Sequence, residues 1–133
     1  MSDTGIAFKS VAELSLLIES KQVSPVEVTE AYLTRIDELD FKFNSYLTVC
    51  RKEVLEQARD AEAAIIKGEY LGPMHGIPVG IKDQIWTKDV RTPGGSRFLA
   101  DFVPQEDATS IANLKKAGAL LLGKGRVDAG IGF

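Results

Sequence analysis

Lys82 is the residue whose type and setting best suit acid–base chemistry. It ends a run in which Ile77, Val79 and Ile81 alternate with Pro78, Gly80 and Lys82. In a strand the first three side chains point to one face and the last three to the other. Gly80 leaves room for another backbone or a substrate to approach the amine closely. A lysine in a low-dielectric setting favours its neutral form and can then take a proton. The pattern predicts a Lys82 amine on a largely buried face. The plainer reading of the same spacing is a strand-end lysine whose stem covers apolar surface while its ammonium reaches water. Asp83 falls on the opposite face, a poor position for a direct ion pair with Lys82.

Other reactive types are sparse. Gly94-Gly95-Ser96 has the look of a glycine-flanked nucleophile, but Arg97-Phe98 follows it, and Gly-Gly-Ser is ordinary turn chemistry. His75, the only imidazole, precedes the strand in a turn, where loop packing or a backbone hydrogen bond is the expected role. Cys50 stands before Arg51 and Lys52, cations that can lower a thiol pKa, yet a small buried hydrophobe is the better reading. Gly118 to Lys124 has phosphate-loop spacing, but the residues between form an apolar strand and Gly125 stands where a Ser or Thr would bind Mg²⁺. Tyr70 and Trp86 flank the Lys82 segment and are candidates for a cleft lining, with core or rim packing as the default.

The elements that must position these residues have clear signals. Ser10 with Glu13 and Ser24 with Glu27 are capping-box patterns, the second with Pro25 at the first helical position. Val11, Leu14 and Ile18 follow the first; Val28, Tyr32, Ile36 and Leu39 follow the second. Tyr46 to Val49 reads as a short strand. Arg51 to Lys67 reads as a third helix, closed by Gly68. Glycines and prolines crowd residues 72–95, which suits strands and tight turns. Asp107 is then expected to cap a helix through Ile111, Leu114 and Ala117, ended by Gly118. Ala119 to Leu122 is a continuous apolar run, the pattern of a strand covered on both faces. The fold class is α/β, with N-terminal helices followed by strand, helix and strand.

Composition narrows the function. With 133 residues, 16 Lys and Arg, 19 Asp and Glu and a net charge of −3, the chain lacks the basic footprint of a nucleic-acid binder, so no direct nucleic-acid contact is expected. One Cys and one His leave little for a zinc site of the usual ligands. The lone Cys points to a reducing, cytoplasmic setting. Neither a signal-peptide pattern nor an apolar run of roughly 18 residues is present, so no membrane association is expected.

The segment Gly72-Pro73-Met74-His75-Gly76-Ile77-Pro78-Val79-Gly80-Ile81-Lys82-Asp83 closely resembles the lysine-bearing segment of the amidase signature family. Thr92-Pro93-Gly94-Gly95-Ser96, Asp107-Ala108-Thr109, Lys116-Ala117-Gly118-Ala119 and Leu122-Gly123-Lys124 continue the match in order. Ser24 to Val28, Ala31-Tyr32-Leu33 and Arg35-Ile36 are similar to the family's N-terminal helices. After Lys124 the family usually continues with a Thr-Asn type pair and an acidic residue. Here Gly125-Arg126-Val127-Asp128-Ala129-Gly130 keeps only Asp128 in place.

The resemblance implies a large mixed sheet wrapped by helices, a small amide substrate, no cofactor and a Ser–Ser–Lys triad. Lys82 matches the family's catalytic lysine. Both family serines lie in a Gly/Ser-rich signature beyond the matching segments, so residues 1–133 are expected to form an incomplete, N-terminal portion of one domain, inactive alone. Amide hydrolases and the amidase-like subunit of glutamyl-tRNA(Gln) amidotransferase are both open readings within the family. A remnant or partner-binding fragment without enzymatic activity is the reading from another class. The apolar run 119–122 is expected to lack full cover in so small a sheet, and the chain to self-associate or stay partly molten.

Overall fold

The computed structural model describes residues 3–127. A short helix α1 (Asp3–Ala7) precedes α2 (Val11–Glu19) and α3 (Pro25–Phe43); the strand β1 (Tyr46–Val49) leads into α4 (Arg51–Ile66). Then come β2 (Pro78–Lys82), a 3-10 turn at Arg97–Leu99, α5 (Thr109–Lys116) and β3 (Leu120–Gly125). Both expected capping boxes form. Ser10 and Ser24 each accept the N–H of the Glu three residues on, and each Glu accepts the N–H of its serine at 2.7 Å. These reciprocal bonds satisfy two of the donors a helix start would leave orphaned.

The three strands form one mixed sheet in the order β1-β3-β2. β3 is central, antiparallel to β1 and parallel to β2. Leu120 and Leu122 pack with Leu33, Val54, Ala58 and Ala61 of α3 and α4. Leu121 packs on the other face with Ile81, Cys50 and Ile111 of α5. A third cluster joins Ile6, Leu14, Ile18, Val28, Ala31, Ile65 and Ile77, tying the first three helices to α4 and the entry of β2.

Two expectations need correcting. Leu120, Leu121 and Leu122 are 4%, 8% and 3% exposed, so the run does not lack cover. β1, far away in sequence, pairs with the free edge of β3, while helices close on both faces. Asp107 does not cap α5 either. The N-cap is Ala108, which makes no side-chain capping bond. Asp107 instead accepts the Lys88 N–H at 2.7 Å and the Lys115 ammonium at 2.8 Å, tying the helix to the preceding loop. These bonds and charges outweigh the effect of burial and hold its carboxyl below the usual range. None of the described helices is long and apolar enough to cross a membrane.

Candidate functional site

Lys82 is the last residue of β2, an outer strand of the described sheet. The alternation holds in part: Ile77 and Ile81 are 3% and 7% exposed, and Val79 is half-buried. The expected burial of the amine does not. Gly80 and Lys82 are exposed, because Lys82 terminates a strand with no neighbour on its outer side among the described residues.

The space above Gly80 is used by a residue that nothing in the local pattern marks. A β-carbon at Gly80 would stand 3.2 Å from the Tyr46 hydroxyl, and one at Gly123 would stand 3.1 Å from the Tyr46 ring. Tyr46 and Lys82 are both paired with Gly125, one from each side of β3. The tyrosine therefore starts in the same cross-strand row as Lys82 and leans across two glycines. Burial foremost, with the Asp40 carboxylate beside it, raises the Tyr46 hydroxyl pKa above its ordinary value.

Beneath this face lies a second lysine. Lys124 is fully buried, and its ammonium donates to the Ile85 carbonyl at 2.5 Å, to Thr87 Oγ1 at 2.7 Å and to Thr92 Oγ1 at 3.2 Å. Three oxygens satisfy all three donors of the group. Burial lowers its pKa, against the opposing pull of Asp83, Cys50 and Asp107. A register shift in β3 puts Lys124 on this face. Val79 pairs with Leu121 but Gly80 pairs with Gly123, so Leu122 is the extra residue of a bulge. Without it Lys124 would share the face of Leu120 and Leu122.

Asp83 lies opposite Lys82 as expected and is 2% exposed. One carboxylate oxygen accepts the Gly94 N–H at 2.9 Å; the other has no partner among the described residues. Its backbone N–H donates to Gly125 at 2.9 Å, carrying the β2–β3 ladder one residue past Lys82. Asp83 thus draws the Thr92–Ser96 turn toward the end of β2. Ser96 is half-buried and heads the 3-10 turn without making a side-chain cap. It lines a cavity of about 260 Å³ with Asp83, Arg91, Arg97 and Arg126. No base is hydrogen-bonded to its hydroxyl among the described residues, so the geometry gives no support to a nucleophilic Ser96.

His75 is buried, and its Nδ1 accepts the Leu71 N–H at 3.1 Å. Burial lowers its pKa. This is the backbone role expected of it. Cys50 is a buried free thiol before α4, packed with Ile81 and Leu121, and burial pushes its pKa up. Tyr70 stacks on His75, and Trp86 packs edge-on against Phe102. The residues 118–124 are turn and strand, not a phosphate loop. Asp128 lies outside the described residues.

Known proteins share this arrangement. The family model described as Amidase matches residues 27–132. The amidase-like subunit of glutamyl-tRNA(Gln) amidotransferase from Moorella thermoacetica is 46% identical over 116 residues, covering 87% of this chain and 24% of that protein. The solved peptide amidase from Stenotrophomonas maltophilia superposes with a TM-score of 0.83 at 32% identity, over 90% of this chain and 25% of that one. A fatty acid amide hydrolase gives a TM-score of 0.86 at 30% identity, over 92% and 22%. The chain spans about a quarter of the length of each of these relatives.

Proposed function

Because this chain belongs to the amidase family, we propose that it supplies the lysine of an amide C–N hydrolase. Lys82 in its neutral form takes a proton relayed through a bridging serine. A second serine attacks the amide carbonyl, and backbone N–H groups hold the oxyanion. The observation that carries the reading is the position of Lys82 within the matched motif, at the open end of β2, where an amine can meet groups from outside the described residues. The substrate is a small amide and the setting cytoplasmic, a reading supported by the lone Cys and acidic balance of the chain. Both serines come from the family's Gly/Ser-rich signature, outside this chain, and the chain alone is inactive. The outer edge of β2 and the exposed rings of Phe41, Phe43 and Phe98 favour self-association of the isolated chain.

The test is an assay of the purified chain, alone and mixed with the remaining portion of a relative's domain, on small aliphatic and aromatic amides. No turnover is expected alone. Turnover on complementation should fall by several powers of ten in Lys82→Ala. Turnover by the chain alone, abolished by Lys82→Ala, would overturn the proposal and return attention to Ser96.

The identity to the Moorella protein favours a second reading, in which the same lysine serves transfer of amide nitrogen to glutamyl-tRNA(Gln). Complementation with the other components of such a transferase, scored by product on tRNA rather than by free ammonia, separates the two.

A further inference from the structure

The buried ammonium of Lys124 holds the turn into which Lys82 leads. The Ile85 N–H donates to the Lys82 carbonyl at 3.0 Å, closing that turn. The carbonyl of the same Ile85 accepts from Lys124 at 2.5 Å and from the Thr87 hydroxyl at 3.0 Å. Ile85 is therefore fixed on both sides, by Lys82 and by Lys124. Further along the loop, Thr92 accepts from Lys124 and donates to the Val90 carbonyl at 2.9 Å. One side chain thus gathers residues 85, 87 and 92 into a single knot. On the strand side the lysine is anchored by the ladder, where Lys124 pairs with Ile81 and its neighbour Gly125 pairs with Lys82.

From this geometry we propose that Lys124 is a positioning residue for Lys82, a role in the reaction that rests on Lys82 being the base. Lys124 touches neither substrate nor the reacting atoms. It sets the direction in which β2 ends and so the place from which the Lys82 amine projects. An apolar side chain of similar length fills the volume but offers no donor, and the turn loses the bond that holds its outer carbonyl. A hydrogen bond to a charged donor is stronger than a neutral one, so the loop should open locally while the helices stay closed.

The experiment compares the 133-residue chain with Lys124→Met, and with Thr87→Val and Thr92→Val, which keep the lysine and remove one acceptor each. The readouts are amide hydrogen exchange at Ile85 and in α4, and the Hε/Cε NMR signal of Lys82, assigned through Lys82→Arg. In Lys124→Met, Ile85 exchange should rise by about tenfold or more with α4 unchanged, and the Lys82 signal should shift or broaden. The threonine variants should move both readouts in the same sense by less. Equal acceleration at Ile85 and in α4 would mean a general stability role and overturn the proposal. So would a Lys82 signal that stays in place while Ile85 opens. If Lys124→Met does not fold, the threonine variants decide by the same criteria. None of these readouts depends on turnover, so a failed amidase assay and a failed positioning role are told apart.

Discussion

The His75 ring fills the space in which Gly118 would carry a side chain. A β-carbon there would lie 2.7 Å from His75 Cδ2 and 3.0 Å from its Cα, and Gly118 has φ +89°. The Gly76 N–H also donates to the Gly118 carbonyl at 2.9 Å. The turn before β2 and the turn before β3 are thereby pressed together where the two parallel strands begin.

Gly118→Ala should therefore be costly, since it adds both a backbone penalty and a clash with a ring that has little room to move. The expected loss is about 2–4 kcal/mol, read as a lower urea midpoint at unchanged slope. An alanine variant within about 0.5 kcal/mol of the parent, the usual spread for surface changes, would contradict the close packing.

His75 predicts a pH dependence. Its Nδ1 accepts the Leu71 N–H, which requires the neutral ring, and its folded pKa lies below the ordinary value. Between the lowered pKa and about 6.5 the unfolded chain binds more protons, so stability rises with pH across that window. The contribution is complete above about 6.5, declines as pH falls below it, and stops changing below the folded pKa. As the only imidazole, His75 can be tested cleanly. Unfolding free energies of the parent should fall from about pH 7.5 toward about 5.5, the range that brackets the ordinary imidazole value, and His75→Gln should flatten that slope.

Two glycines under Tyr46 should respond differently to alanine. At Gly80 the obstacle is the tip of a tyrosine at 3.2 Å, which can swing aside, whereas at Gly123 it is the Thr48 carbonyl oxygen, well inside contact distance and part of the backbone. Gly80→Ala should cost less than about 1 kcal/mol. Gly123→Ala should cost about 3 kcal/mol or prevent folding, because the β1–β3 ladder must shift. Thermal melts of both variants with Tyr46→Phe as a control would show the order, and a reversed order would refute the contact.

Ser24→Ala removes one half of the capping box on α3 and should cost about 1 kcal/mol. Ser10→Ala removes the same bonds from α2. α3 carries the fully buried Val28 and Thr29, so its loss of cap should register in global unfolding. Hydrogen exchange confined to the first turn of α3, without a change in midpoint, would show that the cap matters only locally.

The local code was enough to set most of the elements and the candidate base. Capping boxes, an alternating strand and a continuous apolar strand are written in residues a few positions apart, and the structure follows them because each rests on short-range hydrogen bonds or on burial period. The family motif around Lys82 is equally local. Asp107 shows where that logic stops: its spacing suits a cap, but Lys88 and Lys115 offer its carboxylate a better-paired place. The cover of Leu120 to Leu122 was likewise decided by a strand more than seventy residues earlier, which no nearby spacing reveals. The same holds for Lys124 and Tyr46. A bulge of one residue in β3 turns Lys124 toward Ile85, Thr87 and Thr92, and the absence of side chains at Gly80 and Gly123 admits Tyr46 from the far strand. Side-chain type sets what each group can do. Which groups meet depends on register and on the volume left by residues far apart in the chain, and both are fixed only when the sheet closes against its helices.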